Sequence, residues 1–278
     1  MRKILLYIVY GENKGYYDGV KFSLLTFMNW MINENQVEIV ILTEKPHEFE
    51  SYPVTIFPIS EQQKNEWTLN GRYHFRIKNR GMAHIMDQLE LIEQDRILLL
   101  DADTYFNNSP LTLFDLIQPN QALFYLNEGL IYNRKRFQVY IDHLEGKSIK
   151  VDNVVYELSK DSAMWGSLMV GIMPNMRPSL DWADKLMQVF IDMVPVHTIE
   201  EFSLAESLLK KYKMTEGKKY VNLYSTSRKK EYALPIIAEF LNKCQALPID
   251  KQISLAQKVV VKRSAFIVIK QRILHLLR

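Results

Sequence analysis

A run of apolar residues followed by two carboxylates constrains this chain more than any other stretch. Residues 96–106 read RILLLDADTYF, so four apolar residues precede Asp101 and Asp103. Such a run predicts a strand that is buried on both faces, as at the centre of an α/β sheet. Because burying an unpaired carboxylate is costly, both aspartates are expected to emerge at the carboxyl edge of the sheet, where α/β proteins bind ligands.

The two carboxylates have two interpretations. Hard oxygen ligands at a sheet edge suit Mg²⁺ or Mn²⁺, with water and a diphosphate completing the coordination. The alternative is a strand followed by an acidic helix cap, in which Asp103 or Thr104 caps the next element. The apolar run in front of the pair favours the metal site.

The composition fits a globular protein with its own core. The chain has 278 residues, of which 47% are hydrophobic, and this is enough for one large or two small domains. Cys244 is the only cysteine in the sequence, which excludes an internal disulfide and indicates a reducing compartment. The apolar run at residues 4–10 is short and lacks a cleavage site, so we expect a first strand rather than a signal peptide.

The positive charge is concentrated towards the C-terminus. The net charge is +3, whereas residues 251–278 carry seven cations and no acid; the first 250 residues therefore carry −4, the difference between +3 and +7. Apolar clusters lie between these cations. The pattern predicts a basic helical extension over residues 234–278 that associates with an anionic membrane surface. The alternative is a helix that packs on the body or on a partner chain.

Strands and helices alternate through the first half of the chain. We predict strands at residues 3–10, 37–42, 54–59 and 96–100, and helices at residues 20–32 and 77–91. This β-α-β-β-α-β order predicts a mostly parallel sheet with right-handed crossovers. Beyond it we expect a short helix from Ser109 and Pro110, strands at 122–126 and 165–173, and helices at 182–193 and 200–212. Residues 1–233 are therefore predicted to form one α/β body.

Three motifs carry a resemblance to a known family. Residues 98–104 read LLLDADT and are followed by PLTLF at 110–114; residues 164–172 read MWGSLMVGI; residues 75–78 read FRIK. Together they resemble glycosyltransferases with the A-type nucleotide-sugar fold, in particular the glycogenin-like and lipopolysaccharide glycosyltransferase group. The second motif is similar to the strand that lines the donor-sugar pocket in that group, but Gly166 stands where an Asn is usual and Leu168 where a Gly is usual.

The resemblance, which covers roughly residues 1–240, implies a fold and an activity. The fold would be a single Rossmann-like A-type domain. The activity would be a metal-dependent hexosyltransferase that moves a sugar from a nucleotide-diphosphate donor, a UDP-sugar, to a glycan or lipid-linked acceptor in surface polysaccharide synthesis. Mn²⁺ or Mg²⁺ would act as a Lewis acid for the leaving diphosphate. We expect a cytoplasmic location, peripheral on the inner face of the plasma membrane, and no nucleic-acid partner.

The resemblance also implies roles for individual residues. Asp103 would bind the metal directly, and Asp101 would contact the ribose or reach the metal through water. Where relatives place a third metal ligand, a histidine, this chain has residues 221–230 without one, so that Asn222 or water would take its place. The implied donor-binding residues are Tyr10 beside the uracil, Arg76, Lys78 and Asp101 near the phosphates and ribose, Ser167 in the sugar pocket, and Arg228, Lys229 and Lys230 as a diphosphate clamp. Each role has a structural alternative. Tyr10 would be an aromatic residue at the rim of the site, and Arg76 and Lys78 would be exposed cations at a helix start. The three cations at 228–230 would lie in a solvated loop.

Glu200 and Glu201 are the candidate catalytic residues. They precede an amphipathic helical pattern, where acidic residues are favourable simply because they lie at a helix N-terminus. The functional interpretation is a general base that deprotonates the attacking hydroxyl of the acceptor if the reaction inverts configuration.

Two other functions fit parts of the sequence. An apolar run with D-x-D also describes haloacid-dehalogenase-like phosphatases, but their motif lies near the N-terminus and has Thr or Val where this chain has Tyr105. A non-catalytic membrane-peripheral protein that keeps a nucleotide fold is the other alternative.

Overall fold

The computed structural model describes residues 1–31 and 37–263. The strands are β1 (Lys3–Val9), β2 (Val37–Thr43), β3 (Thr55–Pro58), β4 (Arg96–Leu100), β5 (Thr104–Tyr105), β6 (Gln121–Leu130), β7 (Ile149–Val151), β8 (Val154–Tyr156), β9 (Ala163–Ile172), β10 (Lys213–Glu216) and β11 (Asn222–Leu223). The helices are α1 (Lys14–Met28), α2 (Glu61–Trp67), α3 (Arg76–Gln88), α4 (Gln138–Leu144), α5 (Arg177–Phe190), α6 (Ile199–Leu209), α7 (Ser227–Cys244) and α8 (Ile249–Ala256). Short 3₁₀ turns connect several of them.

A mixed sheet forms the centre of the fold. Among the described residues, seven strands pair in the order β10-β6-β9-β4-β1-β2-β3. All are parallel except β9, which runs antiparallel to both of its neighbours, β4 and β6. The prediction of an α/β fold with a mostly parallel central sheet is therefore confirmed. The predicted central strand at residues 96–100 is β4, and its residues 97–100 are buried.

Apolar helix faces cover this sheet. In α5 the residues Leu180, Ala183 and Met187 recur at helical spacing, and each is at most 1% exposed. The helix packs against α3 and α6, and α6 packs against β9. Burying one large apolar side chain contributes about 1.5–3 kcal/mol to the stability of the fold. These contacts therefore hold α3 and α6 in place, and both helices carry polar residues that lie near the edge of the sheet.

The chain divides into two compact units. The first unit comprises Met1–Tyr10, Gln36–Asp101 and Leu111–Lys219, and it contains the seven-stranded sheet. The second unit comprises Gly11–Asn35, Ala102–Pro110 and Tyr220–Arg278, and its described elements are α1, the antiparallel pair β5–β11, α7 and α8. The predicted division between residues 233 and 234 falls inside α7.

Several predicted bounds are corrected. Helix α1 begins at Lys14 rather than at residue 20, because the Asn13 side chain caps it by accepting the Gly15 N–H at 2.9 Å. The predicted helix after Pro110 is a 3₁₀ helix, Leu111–Leu116. The strand predicted to end at residue 126 continues to Leu130. The predicted ends of the first helix, at residue 32, and of the extension, at residues 264–278, lie outside the described residues.

Several elements were not predicted: α2, α4, the β7–β8 hairpin and the short strands β5, β10 and β11. Helix α2 begins with a capping box in which Ser60 and Gln63 satisfy each other's backbone N–H groups. Helix α4 and the β7–β8 hairpin fill the stretch between the predicted strands at 122–126 and 165–173. No described helix has the length and apolar character needed to span a membrane.

Candidate functional site

The candidate site lies where the strand order of the sheet reverses. Strands β2 and β3 lie on one side of β1, and the chain then returns to place β4 on its other side. In α/β sheets, ligands bind in the crevice outside the carboxyl ends of strands at such a switch point. Asp101 directly follows β4, and Tyr10 directly follows β1. The backbone N–H of Asp101 donates to the Leu168 carbonyl at 3.0 Å, which ties the strand end to β9.

Lys78 holds the side chain of Asp101. Its Nζ lies 3.0 Å from Asp101 Oδ1 and 3.2 Å from Oδ2. The same ammonium donates to the Ser167 carbonyl and to Ser167 Oγ, both at 3.1 Å. Burial disfavours the ammonium, but the charges of Asp101 and Glu200 outweigh it and raise the pKa of Lys78. Lys78 is therefore a cation at neutral pH, and its donors are engaged by neighbours within the first unit.

Ser167 reaches this cluster because β9 bulges there. Between Gly166 and Val170 strand β9 advances four residues, while its partner β6 advances two, from Leu126 to Phe124. A bulge bends a strand and re-aims its side chains, and bulges are common beside active sites. Ser167 Oγ accepts from Lys78 and donates to Glu200 Oε2 at 2.7 Å. The serine thereby links the cation to a second carboxylate.

Glu200 is a buried carboxylate in the first turn of α6. It is 3% exposed, and its Oε2 lies 3.8 Å from Lys78 Nζ. Its backbone N–H donates to the Tyr73 hydroxyl at 2.7 Å, and that hydroxyl donates to the His197 carbonyl at 2.8 Å. Burial raises the pKa of Glu200, whereas Lys78 and the hydrogen bond from Ser167 lower it.

Glu201, the next residue, is the more accessible of the two glutamates. It is partly buried. Burial, followed by the charge of Glu200, raises the pKa of Glu201 to about 8, although Lys78 opposes this shift. A carboxyl group with a pKa near neutrality can take up or release a proton at the pH of a cell, as a general base must.

Arg76 does not join the cluster around Lys78. Its Nε donates to Asp184 Oδ1 at 2.6 Å, and its Nη2 donates to Asp184 Oδ2 at 2.8 Å. Its Nη1 donates to the Glu66 carbonyl at 2.7 Å, and the whole residue is 5% exposed. These contacts give Arg76 a structural role that ties α3 to α5. The expectation that Arg76 approaches a phosphate finds no support in its contacts.

Tyr10 lies at the edge of the same unit. Its hydroxyl donates to the His74 carbonyl at 2.9 Å, and its ring packs partly buried against the core. One residue further, Phe75 is 46% exposed, and its ring contacts those of Tyr73 and His197 at centroid distances of 5.8 and 6.4 Å. Tyr73 and the two exposed rings that contact one another, Phe75 and His197, were not predicted as site residues. The aromatic run at residues 73–75 was the only local signal, because the partners on the α6 side lie more than 120 residues away.

Asp103 belongs to the second unit, where Lys230 is its partner. Lys230 Nζ lies 3.2 Å from Asp103 Oδ2 and 5.7 Å from the centre of the Tyr16 ring. The Asp103 carbonyl accepts from the Tyr224 N–H at 3.1 Å. In strand β11, Asn222 pairs with Tyr105 of β5. In the second unit, Asp103 directly precedes β5, Asn222 lies in the paired strand β11, and Lys230 lies in the first turns of α7.

Glycine at position 19 makes this arrangement possible. A Cβ at Gly19 would clash with the Ala102 carbonyl oxygen and would lie 2.7 Å from the Tyr224 hydroxyl. That hydroxyl donates to the Ala102 carbonyl at 3.2 Å. Helix α1 can therefore approach the D-x-D segment only because residue 19 lacks a side chain.

The other two cations of the predicted clamp are placed differently. Arg228 is exposed in the first turn of α7. The Lys229 ammonium donates to the Leu223 carbonyl at 3.0 Å, which holds it against β11. Of the triplet, only Lys230 contacts an aspartate of the D-x-D pair among the described residues.

Asp101, in the first unit, and Asp103, in the second, are each candidate ligands for a hard divalent cation. Asp101 and Asp103 offer carboxylate oxygens, and Mg²⁺ in nucleotide sites is usually held by one or two carboxylates together with phosphate oxygens. Within residues 1–31 and 37–263, no group of three His, Cys, Asp or Glu side chains has a metal-binding arrangement.

No protein-family model matches the chain, and no curated protein is significantly similar to it in sequence.

Proposed function

We propose that the protein is a metal-dependent glycosyltransferase of the A-type nucleotide-sugar fold. It transfers a hexose from a nucleotide-diphosphate donor, a UDP-sugar, to a glycan or lipid-linked acceptor. The observation that carries the proposal is Asp101 at the switch point of a mostly parallel sheet, held by the buried ammonium of Lys78. Nucleotides bind at this position in doubly wound sheets.

The D-x-D carboxylates supply the metal ligands in this proposal. Mn²⁺ or Mg²⁺, when bound by Asp103 and by Asp101, supplies a Lewis acid for the departing diphosphate. Lys78 contacts both oxygens of the Asp101 carboxylate and so fixes its orientation, and Ser167 in turn holds the Lys78 ammonium in place. Lys230 and Arg228 provide positive charge for the phosphates from the start of α7. Tyr10 offers a ring to the base at the end of β1.

Glu201 is the proposed general base. Glu200 is 3% exposed and its Oε2 accepts from Ser167, so burial keeps this carboxylate away from an incoming hydroxyl. Glu201 is more accessible, and its pKa of about 8 makes it an acceptor of suitable strength. In an inverting transfer, Glu201 would take the proton of the acceptor hydroxyl as the oxygen attacks the sugar.

A thermal-shift panel tests the proposal. UDP-glucose, UDP-galactose, GDP-mannose and dTDP-glucose are compared with and without Mn²⁺, because a ligand that binds only the folded state raises the melting temperature. We expect a Mn²⁺-dependent rise with a UDP-sugar that is lost in Asp103→Asn. The matched control is Asp161→Asn, which changes an exposed aspartate of the first unit.

Three outcomes would contradict the proposal. Unchanged metal-dependent affinity in Asp103→Asn would remove the D-x-D pair from the site. Stabilisation by GDP- or dTDP-sugars alone would refute the assignment of uracil. Release of phosphate from a phosphomonoester without sugar transfer would favour the phosphatase alternative.

A further inference from the structure

A polar cavity lies on the side of helix α3 that faces away from Lys78. It has a volume of about 210 Å³ and is lined by residues of α2 and α3 and by Arg177. Lys78 and Arg80 are two residues apart on α3, so their side chains point about 200° apart around the helix axis. His84 follows Arg80 by one helical turn and lines the same cavity. The cavity is therefore separate from the cluster that holds Asp101.

Arg80 is the unsatisfied cation of this cavity. Its Nε is buried without a hydrogen-bond partner. Its nearest carboxylate oxygens, on Glu66 and Asp184, both lie 3.9 Å away, which is beyond hydrogen-bonding distance. Within the described part of the chain, the guanidinium thus makes two loose ion pairs and no hydrogen bond. A guanidinium that makes no hydrogen bond has parallel N–H donors to offer, and their spacing matches the paired oxygens of a carboxylate or phosphate group.

The acidic residues around the cavity do not prevent an anion from binding there, because each is either paired with an arginine or exposed to solvent. Asp87 is neutralised by Arg177, which donates to it through Nε at 3.0 Å and through Nη2 at 2.8 Å. Asp184 is engaged by Arg76. Glu66 is the remaining acid, and its side chain is 62% exposed, so it can turn into solvent. Gln63 and His84 add neutral polar groups to the wall.

His84 and Trp67 form an aromatic wall beside the guanidinium. Their ring centres lie 5.3 Å apart. Burial, which outweighs the charge of Asp87, lowers the pKa of His84, so the imidazole is neutral at pH 7 and offers one N–H donor. A small organic anion would find an N–H fork, a ring N–H and an aromatic surface in this cavity.

From these contacts we infer that the cavity between α2, α3 and Arg177 is a binding site for a small oxyanion, in which Arg80 binds the carboxylate or phosphate group. Nothing in the proposed transfer reaction uses these residues, so the ligand is a further molecule rather than the donor.

Calorimetric titration of the full chain tests this site. Inorganic phosphate and malonate are the probes, and metal and nucleotide are left out so that the proposed donor site stays empty of its own ligands. We expect Arg80→Met to weaken binding of the preferred probe about tenfold or more, as expected for the loss of hydrogen bonds from a charged group. Arg80→Lys keeps the charge but lacks the fork, so its affinity should lie between the two.

Two further variants sharpen the test. Glu66→Gln removes a competing negative charge near Arg80, so it should strengthen binding by about two- to fivefold at low salt. Arg134→Met, an exposed arginine elsewhere in the first unit, should leave the affinity unchanged. The opposite effects of Arg80→Met and Glu66→Gln are not expected of residues with a merely structural role, and thermal melting verifies that each variant is folded.

Several results would overturn the inference. Unaltered binding in folded Arg80→Met would exclude the guanidinium as the ligand group. An equal loss in Arg134→Met would mean that only net charge matters. Binding weakened by Lys78→Met but not by Arg80→Met would assign the anion to the D-x-D edge, and this would support the proposed donor site while refuting the second one.

Discussion

Lys78 Nζ lies 3.0 Å from Asp101 Oδ1, so the first carboxylate of the D-x-D pair is held by a cation from the helix that precedes its own strand. The side chain of Lys78 is 13% exposed and that of Asp101 is 25% exposed. Removing either partner of a pair this shielded is destabilising, because the remaining charge would be left poorly solvated and uncompensated. The pair therefore couples the position of α3 to the end of β4.

Lys78→Met should destabilise the protein strongly. It leaves the carboxylates of Asp101 and Glu200 without their shared cation, and breaking a buried pair from one side costs about 3 kcal/mol or more. Denaturant unfolding of the variant measures the loss. Lys160→Met, in which an exposed lysine is changed, should alter the unfolding free energy by less than about 0.5 kcal/mol. A change of similar size in both variants would contradict the assigned role.

Glu201 should make the protein less stable as the pH rises. Its folded-state pKa, about 8, lies above the ordinary value for a glutamate, so the native state binds more protons than the unfolded state between the two values. The stability from the neutral carboxyl is present below about pH 4.5 and is lost progressively up to about pH 8, by up to about 5 kcal/mol. Glu201→Gln should flatten this part of the profile. An identical pH dependence in the variant would refute the raised pKa.

The same group predicts the pH dependence of turnover. If Glu201 is the general base, kcat/KM for a UDP-sugar should fall as the pH drops below about 8, because the protonated carboxyl of the free enzyme cannot accept a proton. Glu201→Gln should lower kcat by about 10²-fold or more and abolish this limb. A variant that retains both the rate and the limb would exclude the role.

Asp184→Asn should affect folding rather than donor binding. It removes the charge that compensates Arg76, so we expect a loss of about 3–5 kcal/mol in unfolding free energy. Asp192→Asn is the control, since its pair with Arg72 is exposed on both sides and should contribute less than about 1 kcal/mol. Donor affinity is then measured by titration on the folded fraction, and a selective loss of UDP-sugar affinity without loss of stability would return Arg76 to the donor site.

Gly19→Ala should destabilise the second unit. The added methyl group would overlap the Ala102 carbonyl oxygen, which is backbone and cannot move aside cheaply. Overpacking of this kind costs about 1–3 kcal/mol. Thermal unfolding of the variant measures the effect, and a variant as stable as the parent protein would mean that the helix shifts at no cost.

The basic C-terminal segment is expected to bind anionic membranes. Its cations are attracted by about 1 kcal/mol each near an anionic leaflet. Co-sedimentation with phosphatidylserine vesicles compares the full chain with one that ends at Arg263, so that α8 remains intact. A charge-reversed variant, Lys270→Glu with Arg272→Glu, controls for chain length. Equal binding by all three proteins, or none at low salt, would refute the expectation.

Secondary-structure elements were predicted correctly where a run of neighbouring residues carries a clear hydrophobic pattern. Strand β4 was predicted with the correct bounds because its apolar run is unbroken and stops at Asp101. The start of α1 was missed because its first residues, Lys14–Gly19, carry no apolar periodicity, and the helix begins there through the Asn13 cap. The β7–β8 hairpin and α4 were missed because short elements leave too few repeats to show a period.

Contacts between distant residues could not be predicted in the same way. Glu200 was singled out from the sequence, but its hydrogen bond with Ser167 and its approach to Lys78 depend on how α6 and α3 pack on the sheet. For Arg76 the sequence predicted an approach to the donor phosphates and gave an exposed cation at a helix start as the alternative. That alternative is wrong, because Arg76 is buried against Asp184, which lies more than 100 residues away in the sequence.

The bulge in β9 determines how this strand can change in length. Between Gly166 and Val170 it holds two residues more than the opposite stretch of β6. Because successive side chains alternate between the two faces, removing one residue would turn Trp165 and its neighbours to the wrong side of the sheet, whereas removing two would keep the alternation. Viable length variants at this position should therefore differ by pairs of residues, and the shorter ones would no longer aim Ser167 at Lys78.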